Sequence, residues 1–409
     1  MDSELKHLLL EQVFPIGTSF SFHPAESNKK GQKFWVVPGS QGLPRWIIPQ
    51  DAELGFSVLK HWLPFDPVSK MKWQCMITGY RLGLLPFFAK MPGVKLESFW
   101  VSMPENTRWD HLGWQQCEKS LPVPVIYVGT PSTYTKLVVM LIDSDSKKPQ
   151  MTIKVPWGKH AASRILYEAT ILKKLGQETP GIAPKFLWQD DARSVSSQEY
   201  LAGYPTQPDL TENHVQWLIR LLQESRTASV SEKGILLKKK LDGLAEKMSS
   251  ALVQTLQETL QRLQDKTPLP LVWRHGDYTA WNIFRSSGGQ FVVIDWENAE
   301  PDALPLYDIF HFKFAQDRVF QPNLQNRGKA CLDWVKTNPE VRSYLIALNM
   351  IKPCEEGESL INELFLYYLI DYLLLSVEDE IDDLVESCYQ AILEVRDDCY
   401  EDSDIRICV

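Results

Sequence analysis

Between residues 121 and 205 the apolar positions come in short runs broken by turn-forming residues. Residues 123–128, 137–142 and 151–155 read as strands, separated by turns at 129–134 and 144–148. A helix is expected over 163–175, where Ile165, Leu166, Ala169 and Leu172 recur at spacings of three and four. Two further strands are expected at 185–188 and 194–200. Strands with one helix after the third imply a small, mostly antiparallel sheet with a helix packed on it. From residue 211 the period becomes helical, with amphipathic stripes over 215–222, 236–248 and 252–263. Two strand-like runs, 271–273 and 291–294, interrupt it around a Gly288-Gly289 turn. Helices then continue to about residue 396, and the acidic tail from Asp397 is expected to fray. Residues 1–120 are less regular. Strand-like runs at 34–37, 46–48 and 96–101 flank a helical stretch over 60–89, and Trp and Pro are frequent. The pattern predicts an α+β chain in three parts: an added N-terminal α+β module (1–120), a sheet-containing lobe (121–205) and a helical lobe (206–409).

Composition removes several function classes. Of 409 residues, 44% are hydrophobic, enough for a sizeable core. The net charge of −9 argues against a dedicated nucleic-acid binder. The seven cysteines form no CxxC pair and no zinc-type spacing with histidine, which fits reduced thiols in a cytoplasmic protein. The first residues lack a long apolar run, so a secretory signal is not expected. The apolar run 364–375 is broken by Asp371 and reads as a buried core helix, so no membrane span is expected.

One segment concentrates chemistry. Residues 274–282, Arg-His-Gly-Asp-Tyr-Thr-Ala-Trp-Asn, fit HxDxxxxN. Phosphoryl transfer to a hydroxyl needs a carboxylate at the attacking oxygen and oxygen ligands for Mg²⁺ at the phosphates. Asp277 and Asn282 can supply both from one loop, with His275 bracing it. Eighteen residues after Asp277, the run FVVI delivers Asp295 at a strand end, within Ile294-Asp295-Trp296-Glu297. A carboxylate there is suited to a metal that bridges phosphates.

HGDxxxxN followed by IDWE resembles the aminoglycoside phosphotransferase and choline kinase superfamily, relatives of the protein kinases. The likeness covers about residues 121–375, and its two motifs in the helical part are the specific ones. It implies a two-lobed protein-kinase-like fold that uses ATP and Mg²⁺, with a small-molecule hydroxyl as acceptor. It also implies further roles. Lys154 would pair the α- and β-phosphates, and Glu168, fourteen residues on, would hold that lysine. Gly129, Ser132 and Thr133 would lie over the phosphates in a loop that lacks the GxGxxG pattern. The backbone at Glu199 and Leu201 would meet the base. Asn282, Asp295 and Glu297 would serve the metal, and Asp308 would support the catalytic loop. Three alternatives remain open on the same fold: a catalytically silent binding or scaffold protein, a nucleotidyl transferase and a protein kinase. HGD and DWE, with no APE-like segment after Asp295, point away from the last. The acidic residues 378–386 and 397–402 read as a solvated face and tail, or else as a receptor for a cationic acceptor.

Overall fold

The computed structural model describes residues 10–22, 31–39, 44–62, 64, 67–91, 96–104, 107–114, 121–286, 288–352 and 358–396. The tail expected to fray, with the acids 397–402, and four of the cysteines (117, 354, 399, 408) lie outside them. Cys75, Cys331 and Cys388 are free thiols. The chain forms two compact units, one of residues 1–205 with 284–297, the other of 206–283 with 298–409.

The first unit is built on one sheet of nine strands: β1 (Ser19–Ser21), β2 (Gln32–Pro38), β3 (Pro44–Pro49), β4 (Glu97–Ser102), β5 (Pro122–Val128), β6 (Lys136–Asp143), β7 (Pro149–Pro156), β8 (Phe186–Asp190) and β9 (Val195–Glu199). Their order is β1-β4-β2-β3-β5-β6-β7-β9-β8. The sheet is therefore larger than the sequence pattern suggested, because β1 to β4 come from residues 1–120. The join is β3 to β5, antiparallel, with Trp46 opposite Tyr127 and Ile47 opposite Ile126. The apolar side chains of β2, β3 and β4 bury in one cluster with those of β5, β6 and β7, including Phe34, Trp46, Phe99, Val125, Leu141 and Ile153. Such continuity follows from alternation: a strand with one apolar face must cover it with another element.

Helices α1 (Ala52–Leu59), α2 (Pro67–Arg81) and α3 (Leu85–Phe88) follow β3 in the chain. Asp51 caps α1 by accepting from the Glu53 amide. Helix α4 (Ala161–Glu178) buries Ile165, Glu168, Ala169 and Leu172 on one stripe. A small strand pair formed by Ile283–Arg285 and Phe291–Val293 brings Asp295 and Glu297 into this unit.

The second unit is mainly helical: α5 (Glu212–Ile219), α6 (Val230–Leu244), α7 (Ser250–Gln261), α8 (Tyr307–Phe320), α9 (Arg327–Thr337), α10 (Pro339–Ala347), α11 (Glu358–Glu378) and α12 (Asp382–Val395). A reciprocal Ser229–Glu232 capping box starts α6. Helix α11 is long and apolar enough by composition to cross a membrane, but most of it is buried inside this unit. It tolerates Asp371 because the carboxylate pairs with Arg274 at 2.5 Å and Lys240 at 3.2 Å. The strand Leu222–Ala228, in a stretch expected to be helical, pairs with Leu269–Arg274 in a three-stranded sheet. Its sequence LQESRTA is mostly polar, and its extended backbone is held in that antiparallel pairing.

Candidate active site

In the sheet-containing unit, β7 carries Lys154 on the same face as Thr152, since alternate residues share a face. Only 7% of the Lys154 side chain is exposed. Its Nζ donates to both Glu168 oxygens, at 2.5 and 2.6 Å, and to Asp295 Oδ1 at 2.8 Å. Glu168 Oε1 also accepts the Trp296 amide at 3.2 Å, so one buried carboxylate holds both the lysine and the backbone beside Asp295. Asp295 has φ +70, a left-handed conformation that a non-glycine residue adopts at a cost of about 1–3 kcal/mol and that clusters at functional sites.

A second lysine, absent from the sequence reading, completes the cluster. Lys136, the first residue of β6, donates to Asp295 Oδ1 at 2.5 Å and to Glu297 Oε2 at 2.8 Å. Burial alone would ease the proton from Lys136, but Asp295 and Glu297 outweigh it and raise its pKa well above the usual value. Burial likewise opposes ionisation of Asp295, yet Lys136 and Lys154 hold its pKa far below the usual carboxylate range. Burial, then the Asp295 charge, pushes the pKa of Glu297 up.

The loop between β5 and β6 folds on itself. Gly129 N–H donates to the Lys136 carbonyl at 3.1 Å, Ser132 Oγ accepts from the Tyr134 amide at 3.1 Å, and the Thr133 carbonyl accepts from the His160 amide at 2.8 Å. It needs Gly158 beneath it, because a Cβ there would stand 2.4 Å from the Thr133 carbonyl oxygen. Glu199 and Leu201 line a cavity of about 90 Å³ together with Val138, Thr152, Phe284 and Ile294. The Glu199 carboxylate itself is turned to the Lys185 amide, at 2.8 Å.

In the helical unit, the loop after the strand Leu269–Arg274 is fixed by hydrogen bonds between side chains and its backbone. Asp308, buried near the start of α8, accepts the His275 amide at 2.8 Å and the Gly276 amide at 2.9 Å, one on each oxygen. His275 Nδ1 accepts the Asp277 amide at 3.2 Å, so this histidine braces the turn. Gly276 has φ +85, and a Cβ would stand 2.4 Å from the Asn298 carbonyl oxygen. The Asn282 amide nitrogen donates to Asp277 Oδ2 and to the Asp277 carbonyl, both at 2.9 Å. That leaves the Asn282 Oδ1 as the group able to face a cation. His311, buried on α8 and unmarked by any motif, places Nε2 3.1 Å from Asp277 Oδ1. Asp277 is thus gripped at both oxygens, with a third of its side chain still exposed.

Besides Asp308, the residues picked from the sequence therefore divide by unit. Lys154, Glu168, Asp295 and Glu297 converge around Lys136, Glu199 and Leu201 line a neighbouring cavity, and Gly129, Ser132 and Thr133 shape the loop preceding β6. His275, Asp277 and Asn282 form the hydrogen-bonded loop of the helical unit.

Residues 132–330 match the family described as the phosphotransferase enzyme family. The chain is also similar to several solved structures. A choline kinase from Streptococcus pneumoniae shares 13% identity over 64% of this chain and 89% of that one, with a TM-score of 0.42. An ethanolamine kinase from Plasmodium vivax shares 16% over 66% and 80%, with a TM-score of 0.45. An ADP-bound aminoglycoside phosphotransferase shares 13% over 70% and 98%, with a TM-score of 0.42. No curated protein matches the sequence.

Proposed function

We propose, from the match of residues 132–330 to the phosphotransferase enzyme family, that this protein transfers the γ-phosphate of ATP to a hydroxyl of a small molecule such as an aminoglycoside, amino alcohol or sugar. The observation that carries the reading is Lys154, held by Glu168 at 2.5 Å and by Asp295 at 2.8 Å. A buried ammonium fixed between a helix glutamate and a strand-end aspartate is arranged to receive phosphate oxygens. The cavity beside Glu199 and Leu201 takes the base.

Asp295 and Glu297 suit Mg²⁺ in kind, since this ion is commonly held by one or two carboxylates together with substrate phosphates. Among the described residues no group of three or more His, Cys, Asp or Glu side chains is arranged to hold a metal ion, so the phosphates would complete the coordination. Bound there, Mg²⁺ neutralises charge on the transferring phosphoryl group. In the helical unit, Asn282 would offer its carbonyl oxygen to a cation. Asp277 orients the acceptor hydroxyl and takes its proton, while His311 and Asn282 fix the direction of its oxygens. Asp308 and His275 position the loop. A cytoplasmic location is part of this reading.

The test is ADP release by the purified chain with Mg-ATP across amines, sugars and nucleosides, with Asp277→Asn as control. Acceptor-dependent release that the variant loses supports the reading. Tight nucleotide binding with no turnover for any acceptor would instead favour a silent binding protein. The seat of Lys136 on Asp295 and Glu297, where the metal would lie, is the observation that supports that second reading.

A further inference from the structure

The cavity assigned to the base has a wall that comes from the N-terminal segment: Val58, His61 and Trp62 line it alongside the residues of β6, β7 and β9. Strand register explains how residues from before β5 reach it. Directly opposed residues of antiparallel strands share a face. Trp46 lies opposite Tyr127, Tyr127 opposite Val138, and Val138 opposite Lys154. These four form one row across the sheet, on the face that presents Lys154. Trp62 packs on that row, with ring centroids 4.4 Å from Tyr127 and 5.0 Å from Trp46. His61 fastens the segment at the other side, 5.1 Å from the Tyr204 ring and 6.5 Å from Tyr200. Burial, reinforced by the neighbouring Lys60, lowers the pKa of His61 and favours its neutral form in this apolar setting.

The cavity and the cation cluster are two ends of one surface. Lys136, Val138 and Met140 alternate along one face of β6, so an apolar slot and a pair of lysines lie within about 13 Å of strand. A flat apolar group joined to several negative charges fits that arrangement, which is the chemistry of a purine nucleotide. Building on the proposed nucleotide site, we infer that residues 52–62 are a structural wall of the base pocket, with Trp62 confining the purine on the side away from Glu199 and Leu201. The N-terminal segment is then part of the nucleotide site and sets its selectivity for a flat base.

The experiment uses the full chain and three probes: ADP, adenosine and inorganic tripolyphosphate. Trp62→Ala should weaken ADP and adenosine equally, by about tenfold, the scale of losing one aromatic contact to a base. Tripolyphosphate, which reaches only the lysines, should bind as before, and Trp62→Leu should lie between parent and Trp62→Ala. On the unmodified protein, ADP should slow amide hydrogen exchange across 52–62. The wall is overturned if the variants bind ADP like the parent and exchange in 52–62 ignores ADP. It is also overturned if tripolyphosphate weakens as much as ADP, because the loss then reflects general damage. A parent chain that binds neither ADP nor tripolyphosphate would overturn the nucleotide site itself, and the wall with it.

Discussion

Lys136→Met removes one of the two cations on Asp295 and the ion-pair partner of Glu297 while keeping an unbranched side chain of similar length. Lys136 is 15% exposed and lies 2.5 Å from Asp295 and 2.8 Å from Glu297. Two unit charges about 4 Å apart attract by about 4 kcal/mol at an effective dielectric constant near 20. Two such pairs give roughly 8 kcal/mol, from which several kcal/mol of lysine desolvation must be subtracted. Lys154 still neutralises Asp295 in the variant, so the net loss should be about 3 kcal/mol, the lower end for breaking a buried pair. The unit concerned has roughly 200 residues, for which each kcal/mol moves the melting temperature by about 2–4 °C. The variant should therefore melt about 6–12 °C lower without Mg²⁺. Mg²⁺ alone should recover more of that loss in the variant than it adds to the parent, since the ion no longer competes with an ammonium for the same carboxylates. Lys136→Arg should melt close to the parent. Identical melting of Lys136→Met and parent, with and without Mg²⁺, would refute the electrostatic argument.

Other variants probe the helical unit. Asp277→Asn should lower transfer by about 10²–10⁴-fold, the range for losing a positioned base, and leave ADP affinity unchanged; single-turnover ADP formation beside equilibrium binding measures both. Asp371→Ala should cost about 3–5 kcal/mol in urea unfolding, because it leaves the buried Arg274 to Glu300, a half-exposed carboxylate. Burial opposes ionisation of Asp371, but Arg274 and Lys240 together hold its pKa below the usual carboxylate value. Its contribution is thus complete above the unfolded value of about 3.9 and fades as pH falls through the lower folded value, so Asp371→Asn should show a shallower acid limb than the parent. Gly276→Ala should cost transfer more than nucleotide binding, since its Cβ, 2.4 Å from the Asn298 carbonyl, would displace the turn that carries Asp277; kcat and ADP affinity measured together decide it.

What was legible depended on sequence distance. Asp277 and Asn282 are five residues apart and bond directly, and Lys154 and Glu168 are fourteen apart in a strand and the next helix. Contiguous motifs of this kind carry their geometry with them. His311 and Asp277 are thirty-four apart, joined only by the packing of α8, and an isolated histidine in an aromatic helix gives no pattern to read. Lys136, the first residue of β6, belongs to no motif. The turn between β6 and β7 held the missing signal: the register that sets Val138 opposite Lys154 puts Lys136 on the same face, one alternate position away. The strands of the first 120 residues were legible singly, but the partner of β3 was not. Its pairing with β5 spans about eighty residues, and alternation says which face a strand buries without naming the strand that sits beside it.

The energetics of the Lys154–Glu168 pair bear on the choice between enzyme and scaffold. Glu168 is 1% exposed and Lys154 7%, so both groups are almost wholly desolvated. A buried ion pair rarely stabilises a fold more than well-packed apolar residues of the same volume would. A scaffold gains little by keeping it. A protein that must present a fixed ammonium to phosphate oxygens gains a preorganised charge, because Glu168 holds both the lysine and the Trp296 amide before any ligand arrives. The left-handed backbone of Asp295, the residue before Trp296, has the same sense: it is a local strain at the residue whose carboxylate meets both lysines. Two independent costs borne at one cluster argue for a site kept for its ligand.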